Sequence, residues 1–403
     1  LAAGLAAARG LLLAAAAPAL RVGQDGSFKI ALFCDLHFGE SPVKDARSAR
    51  FEETLLQLES PDLVVIDGDA SSNYAAPKCD DPNVCKDFFL RNWRRFTRPL
   101  EASGTPYAYT LGNHDRIPGS AGVQPGNETA YAVPDHWIMQ RDETNPHSLT
   151  ADGPASIHGA SNYVLPVLGA DGKPAAYVWL LDSSDNDCLG RAGWGCVYPD
   201  QVEWYRQTSK RLAAQDGRVV PGVMFHHIPL DEVNMAWNDP KVEINGTKGE
   251  DVCCFSVNTG LFQAIKEVGN IWGVFHGHDH NNDFVALYEG IRIGFGRKSG
   301  YGGYGGAVAE RRGSRVVELR LAAGGGAAWD TWIREETGER VAQGKAERTP
   351  GSPHCCTSAA SGQAAGAGLL EAARACRVRD DADACRAASG MEALEASAAL
   401  LYA

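Results

Sequence analysis

The stretch WGVFHGHDHNND, residues 272–283, breaks an apolar run at a glycine and then places His278 and His280 on either side of an aspartate. In extended chain, side chains two residues apart point to the same face. The two imidazoles can therefore converge on one point, which suits a metal ion. The stretch alone leaves two interpretations open, a metal site or two histidines on a solvated loop.

Four earlier apolar runs also end in polar residues of the metal-ligand type. In an open α/β sheet, ligands bind beyond the carboxyl ends of the strands, so residues far apart in the chain are directed toward one crevice. Taken singly, each residue has an ordinary interpretation, an Asp that caps a helix or a His with a satisfied hydrogen bond. The runs and the residues after them are FKIALFC (28–34) with Asp35 and His37, DLVVID (62–67) with Asp69, PYAYTL (106–111) with Asn113 to Asp115, and PGVMFH (221–226) with His227.

The combined set contains two Asp, one Asn and four His, and no thiolate. This is more than one ion takes up, and it matches two divalent or trivalent ions about 3.5 to 4 Å apart that share a bridging carboxylate. The pattern therefore favours a dinuclear metal centre at the C-terminal ends of the strands. We expect iron, zinc or manganese in these positions.

Apolar strand-like runs alternate with segments of helical periodicity, which predicts an α/β domain, or α+β in some schemes. The polar segment 116–160 is predicted to be a long surface excursion. After RVVELRL (315–321) the composition shifts to Ala, Gly and Ser, and from about residue 345 only a short Ala-rich helix at 364–376 is predicted. The helical segments are 45–60, 86–103, 199–215 and 258–268.

Composition excludes some classes of protein. With 403 residues and 44% hydrophobic composition, the chain can bury the core of one catalytic domain of ~250 to 300 residues plus extensions. The net charge of −12 argues against a broad nucleic-acid or anionic-membrane surface. It does not exclude an anionic substrate held at a metal ion.

Several features predict export, to the outside of the cell or to a vacuole. Residues 1–24 combine Arg9 with an apolar run that is shorter than the ~20 residues of a membrane span, so they resemble a secretory signal peptide; an Ala-rich leader is the alternative. Asn127 and Asn245 begin glycosylation sequons. The cysteines predict disulfides, whose connectivity the sequence leaves open, and Cys34 is expected to remain a buried thiol. The clustered cysteines are Cys79/Cys85, Cys188/Cys196, Cys376/Cys385, Cys253-Cys254 and Cys355-Cys356.

In their order along the chain, these motifs resemble the signature of calcineurin-like metallophosphoesterases: D-x-H, GD, GNH[DE], H-x-P and GH-x-H, across roughly residues 28 to 300. Within that superfamily, FKIALFCDLHFGE, FHHIPL and GFGRKSGYGGYGG are similar to small purple-acid-phosphatase-like proteins of plants, algae and fungi. The resemblance implies a β-sandwich flanked by helices over residues 28–335. It leaves 345–403 as an Ala/Gly-rich, Cys-containing C-terminal extension.

The resemblance also implies roles for individual residues. His114 would contact the phosphoryl group and be oriented by Asp115, and these two form the expected catalytic pair. His226 and His276 precede their motifs and are expected to be structural. Metal one would be held by Asp35, His37, Asp69 and His280, and metal two by Asp69, Asn113, His227 and His278, with Asp69 as the bridge.

Two positions depart from true purple acid phosphatases. Those proteins have a tyrosine three residues after the bridging aspartate, where this chain has Ser72, and a residue other than His at the position of His37. The tyrosine-to-iron charge transfer that makes those proteins purple is therefore not implied here.

The expected function is hydrolysis of phosphate esters, most simply by a phosphomonoesterase. The alternatives are a phosphodiesterase acting on nucleotide or lipid-headgroup esters and a catalytically silent phosphatase-like binding protein. Arg297 and Lys298 follow a strand in a Gly-rich loop, where they would bind outer phosphate oxygens or else form a solvated charged turn. No transmembrane span is predicted, and the sequence leaves the oligomeric state open.

Overall fold

Two sheets pack face to face, with helices on their outer faces. A computed structural model describes residues 19–118, 131–321, 327–348, 351 and 354–356. In these residues the sheets contain six and seven strands, and a separate two-stranded hairpin, β6 (Asn186–Cys188) with β7 (Arg191–Trp194), lies beside them. The expected β-sandwich with flanking helices is confirmed.

The first sheet has the order β15-β14-β13-β1-β2-β3. Its β1, β2 and β3 are parallel, whereas β13 pairs antiparallel with β1. The parallel strands are buried along nearly their whole length, as expected for strands covered on both faces. The strands are β1 (Ser27–Phe33), β2 (Leu63–Asp67), β3 (Tyr107–Thr110), β13 (Gly313–Leu321), β14 (Ala327–Glu335) and β15 (Arg340–Val341).

The second sheet has the order β4-β5-β8-β10-β12-β11-β9, with β5, β8, β10 and β12 parallel. Aromatic contacts join the two sheets; for example, Trp272 stacks on Trp329 with 5.3 Å between ring centroids. The strands are β4 (Tyr163–Leu168), β5 (Pro174–Leu180), β8 (Gly222–Phe225), β9 (Glu243–Asn245), β10 (Ile271–His276), β11 (Val285–Tyr288) and β12 (Ile291–Phe295).

Several helices begin or end at residues of known capping preference. Three of them start with proline, whose fixed φ suits the first helical turn. The Asp81 carboxylate caps the second helix by accepting from the Asn83 amide, and Gly104 ends it in the left-handed conformation. The helices are α1 (Pro42–Glu59), α2 (Pro82–Ser103), α3 (Asp135–Asp142), α4 (Pro199–Asp216), α5 (Asp231–Asn238) and α6 (Leu261–Val268).

The segment 116–160 differs from the predicted surface excursion. It contains α3, whose Ile138, Met139 and Asp142 are fully buried. The Asp142 carboxylate accepts hydrogen bonds from the Trp93 indole and the Tyr107 hydroxyl. This helix was missed because its polar residues face partners inside the protein, so its periodicity is weak in the sequence.

Four disulfides join cysteines of the described residues, and Cys34 remains a buried thiol, as predicted. Cys79 pairs with Cys85 and Cys188 with Cys196. The two doublets pair in register, Cys253 with Cys355 and Cys254 with Cys356, so the segment 354–356 is bonded to the domain. The predicted leader up to residue 18, Asn127, the 364–376 helix and the Cys376/Cys385 pair lie outside the described residues.

Among the helices of the described residues, none has the length and apolarity needed to cross a membrane.

Candidate metal centre

The residues predicted from five strand ends meet at one end of the sandwich. β1, β2 and β3 belong to the first sheet, whereas β8 and β10 belong to the second. The segments after β1 and β2 run side by side, with the His37 amide donating to the Asp69 carbonyl at 2.8 Å and the Phe38 amide donating to the Ala70 carbonyl at 2.9 Å. The site is thus shared between the sheets and does not lie along one open sheet.

Four of the predicted ligands have left-handed backbone conformations, which non-glycine residues seldom adopt. Their φ angles are 56° for Asp35, 50° for His37, 52° for Asp69 and 72° for His278. Such a conformation costs on the order of 1 to 2 kcal/mol per residue. Because this backbone strain is concentrated in one cluster, the orientations of the ligand side chains are maintained there at a cost in folding stability.

Two glycines allow the chain to come close to the site. A Cβ added at Gly68, whose φ is +73°, would lie 2.5 Å from Nδ1 of His227. A Cβ at Gly112 would lie 2.3 Å from Oδ1 of Asp69. Both contacts are too short for carbon, so any other residue at these positions would displace a predicted ligand.

One group of four side chains has the composition and spacing of a metal site. Asp35, His37, Asp69 and His280 are each buried, and each offers a ligand atom within 4.8 Å of the others. His37 Nε2 lies 3.1 Å from His280 Nε2 and 3.5 Å from Asp69 Oδ2, and His280 Nε2 lies 3.4 Å from Asp35 Oδ1. Two atoms that bind one ion at about 2.1 Å lie roughly 3.0 to 3.4 Å apart, so this group fits a metal ion.

The predicted ligands of the second metal form two close pairs, one of which includes Asp69. His227 Nε2 lies 3.1 Å from Asp69 Oδ2, and His278 Nδ1 lies 3.0 Å from Asn113 Oδ1. Both spacings match those of atoms that share one ion. His227 is fully buried, and its Nε2 faces the Asp69 carboxylate.

In two of the predicted histidine ligands, Nδ1 donates to a backbone carbonyl. His280 Nδ1 lies 2.8 Å from the Tyr304 carbonyl, and His227 Nδ1 lies 2.9 Å from the Asp67 carbonyl. A carbonyl can only accept, so both Nδ1 atoms carry a proton, which leaves Nε2 as the nitrogen that can bind a metal. Tyr304 also stacks on the His280 ring with 3.9 Å between centroids, so the Gly-rich loop orients this ligand.

The charges of the cluster also suit a cation. Burial alone would raise the pKa of Asp35, but His280, His227 and Lys298 lower it to about 2. Burial lowers the pKa of His278 to about 3 and holds that of His37 well below its usual value, so both are neutral. His227 differs, because Asp69 and Asp35 overcome burial and raise its pKa to about 10. A metal ion that binds here has to displace that proton.

His114 and Asp115 do not form the predicted pair. The Asp115 carboxylate accepts three backbone hydrogen bonds of 2.8 Å, from the amides of Asp69, Ser71 and Gly112, and so holds the turn that carries the ligands. The partner of the His114 ring is Asn73. His114 is partly exposed, and its own backbone amide donates to Asp69 Oδ1 at 2.7 Å. It therefore lies beside the metal ligands and is partly open to solvent.

Arg297 does not have the predicted substrate-binding placement. Its Nε and Nη2 atoms donate to the Asp283 carboxylate, and its Nη1 donates to Glu335 at 3.0 Å. Lys298 is also buried, and its Nζ donates to the backbone carbonyl of Asp35 at 2.8 Å. Both cations serve internal contacts, because the loop after β12 turns into the protein.

His226 and His276 are structural, as predicted. Both are fully buried and pack ring against ring with 4.4 Å between centroids. His226 Nδ1 meets the Ile228 carbonyl at 2.8 Å, and His276 Nδ1 meets the His226 carbonyl at 3.1 Å.

Sequence reasoning missed several residues around the centre. Asn73 contacts His114, and the half-exposed Tyr74 lies with its ring centroid 4.2 Å from that of His114. The Trp194 ring meets His278 edge to face at 4.4 Å. Cys253 also lies near His278, but its sulfur is in a disulfide and is not available to a metal. Only Asn73 and Tyr74 carried a usable signal, since they stand four and five residues after Asp69 of the GD motif.

The chain belongs to the calcineurin-like phosphoesterase family, whose profile matches residues 28–282. It is 30% identical to probable inactive purple acid phosphatase 14 of Arabidopsis thaliana over 338 residues, which cover 75% of this chain and 77% of that protein. It is 29% identical to probable inactive purple acid phosphatase 28 of the same plant, covering 78% and 79%. Phosphatase DCR2 of Saccharomyces cerevisiae is 23% identical, over 66% of this chain and 46% of that protein.

Among solved structures, a dimetal phosphatase from Danio rerio is 12% identical, with a TM-score of 0.43. The superposition covers 80% of this chain and 99% of that protein's chain. GAP50 of Plasmodium, described as the anchor in the inner membrane complex, is 14% identical with a TM-score of 0.44, over 84% and 94%.

Proposed function

We propose that this protein hydrolyses phosphate monoesters at a dinuclear metal centre. Asp69 would bridge the ions, with Asp35, His37 and His280 on the first and Asn113, His227 and His278 on the second. The observation that carries this proposal is the spacing of donor-atom pairs, which is 3.1 to 3.5 Å for three pairs of the first set and 3.0 to 3.1 Å for two pairs of the second. Two ions in such a site activate a water molecule near neutral pH and neutralise phosphoryl oxygens.

The protein's own groups would bind and orient the ester. Two aspartates are the only anions of the ligand set, so two bound divalent ions leave a net positive site that attracts phosphate. His114 is partly exposed beside the ligands, and as the imidazolium it would donate to a phosphoryl oxygen or give a proton to the leaving alkoxide. Ser72 is buried and its hydroxyl donates to Glu40 at 2.8 Å, so no tyrosinate colour is expected from this position.

The second candidate function is a catalytically silent phosphatase-like protein. The observation in its favour is that two similar plant proteins carry the words "probable inactive" in their names. Against it, each of the seven expected ligand positions holds a residue able to bind a metal. The ligand atoms of Asp35, His37, Asp69 and His280 already lie within 4.8 Å of one another.

Elemental analysis together with two ester assays tests the proposal. We expect about two metal ions per chain, no intense purple colour, and turnover of p-nitrophenyl phosphate that exceeds turnover of bis-p-nitrophenyl phosphate. Preference for the diester would instead support a phosphodiesterase. Two bound ions with turnover of neither ester would support the silent protein, and fewer than two ions would show that the ligands are misassigned.

We also propose that the protein is exported, outside the cell or to a vacuole. Four disulfides support this, because such bonds persist in oxidising compartments and are rare in the cytosol. Expression with a fluorescent tag at the C-terminus, followed by microscopy and blotting of the medium, tests the destination. Cytosolic protein with reduced cysteines would contradict it.

A further inference from the structure

Asn73 makes two side-chain contacts that together define its orientation. Its Nδ2 donates to the Arg116 carbonyl at 3.0 Å, and its Oδ1 lies 2.6 Å from Nδ1 of His114. Because the amide nitrogen must face the carbonyl, the amide oxygen must face the imidazole. An amide oxygen only accepts, so the proton of this hydrogen bond belongs to His114 Nδ1.

The backbone around this contact holds both residues in place. The Asn73 amide donates to the His114 carbonyl at 3.1 Å. Asn73 begins the short 3-10 turn Asn73–Ala75, in which Tyr74 places its ring against the His114 imidazole. The Asp115 carboxylate accepts hydrogen bonds from three backbone amides, so it does not position the His114 ring.

We propose that Asn73 is the positioning residue for His114: its amide oxygen keeps a proton on Nδ1 and fixes the ring with Nε2 as the nitrogen that points away from Asn73. This inference rests on the proposed function for its catalytic consequence. Nδ1 keeps its proton in both charge states of the ring, so a proton that His114 gives to the leaving oxygen has to come from Nε2 of the imidazolium, and Nε2 of the neutral ring that remains holds a lone pair. Without Asn73 the ring is free to rotate about its side-chain bonds and to exchange tautomers.

Two substitutions of Asn73 distinguish the loss of its hydrogen-bond acceptor from the loss of its side-chain volume. Asn73→Asp keeps an oxygen for Nδ1–H but loses the N–H that meets Arg116, whereas Asn73→Leu keeps the size and removes the acceptor. Asn258→Leu makes the same chemical change on an exposed loop, where Asn258 meets Glu232 and Gly260. It is the matched control for general effects on folding.

Nuclear magnetic resonance determines the tautomer of His114 without the need for catalytic turnover. In zinc-loaded and in metal-free protein labelled with ¹⁵N-histidine, long-range ¹H–¹⁵N correlations report which ring nitrogen of His114 carries the proton. We expect Nδ1–H in the wild type and in Asn73→Asp, and a tautomer mixture in Asn73→Leu. A wild-type His114 with its proton on Nε2 would overturn the inference, even if the protein hydrolyses no ester at all.

Kinetics supplies the second test. We expect Asn73→Leu to lower kcat roughly 10- to 100-fold, the usual effect of losing an orienting partner of a site histidine, with KM and metal content little changed. Asn73→Asp should retain most of kcat. In the background of His114→Ala, Asn73→Leu should have no further effect, because a positioning residue acts only through the residue it positions. Equal losses in both backgrounds would overturn the proposal, whereas an inactive wild type with the expected tautomer would refute only the proposed function.

Discussion

The two disulfides between the doublets should stabilise the fold redundantly. Cys253–Cys355 and Cys254–Cys356 each join residues 102 positions apart, so both close nearly the same loop. With either bond intact, the loop remains closed. The perturbation is therefore a set of three variants: Cys253→Ser with Cys355→Ser, Cys254→Ala with Cys356→Ala, and all four substitutions together. Alanine is used in the second pair because Cys254 and Cys356 are buried.

Loop-closure entropy sets the magnitudes. A cross-link over a loop of about 100 residues stabilises by about 4.7 kcal/mol. Once it is present, the second bond closes a ring of only about four residues, for which the same relation yields about 2 kcal/mol. Either double variant should thus lose about 2 kcal/mol, and the quadruple variant about 7 kcal/mol, which exceeds the sum of the two separate losses.

Urea unfolding of the oxidised proteins, followed by tryptophan fluorescence and far-UV circular dichroism, measures these free energies. Two outcomes would refute the reasoning. If each double variant already lost about 4 to 5 kcal/mol and the quadruple variant lost only the sum, the bonds would act independently. If the quadruple variant were no worse than a double variant, one of the two bonds would not form in solution.

The other predictions concern single sites. Asn113→Ala should lower metal content and activity together, whereas His114→Ala should keep the metals and lower kcat roughly 10²- to 10⁴-fold, more for alkyl phosphates than for p-nitrophenyl phosphate; a metal lost from the His114 variant would make that residue a ligand. Glu52 is fully buried, and its carboxylate oxygens have no partner among the described residues. Burial raises its pKa well above the usual value, so the folded protein binds the extra proton and stability should fall as pH rises above about 4.5, by up to about 1.4 kcal/mol per pH unit. Glu52→Gln should remove this slope and be the more stable protein at pH 7.5 in thermal melts, and an unchanged slope would place the titrating group elsewhere. Gly112→Ala should reduce metal content, because the added Cβ would lie 2.3 Å from an Asp69 carboxylate oxygen; full occupancy by elemental analysis would contradict the close approach. Thiol titration of the denatured, unreduced protein should find about one free sulfhydryl, that of Cys34, and most cysteines reacting would argue against export.

Much of the metal centre could be predicted from the sequence because the patterns that indicate its residues lie within short segments. A strand-like run followed within three residues by Asp, Asn or His places that side chain at a strand end, and five such runs occur. The odd cysteine also follows from counting, since Cys34 stands alone in an apolar strand. These features depend on residues that are close together in the chain, so they can be predicted without knowledge of the packing.

The roles of charged and polar neighbours were harder to predict. Arg297 stands in a Gly-rich loop beside the site but pairs with Asp283 and Glu335, the second of which comes from a different sheet. Asp115 follows His114 directly, yet its oxygens accept from the amides of Asp69 and Ser71 in the GD turn and of Gly112 in its own turn. Adjacency in sequence does not indicate which way a side chain turns when the backbone changes direction at each residue.

The sequence by itself determined which residues can bind metal and that they stand at strand ends, because strand periodicity and ligand chemistry are properties of short segments. The tertiary structure decided that three of these strands belong to one sheet and two to the other, and that Asn73 rather than Asp115 contacts the His114 ring. It also decided how the cysteine doublets pair. These outcomes depend on contacts between residues tens to hundreds of positions apart, which only the packed chain brings together.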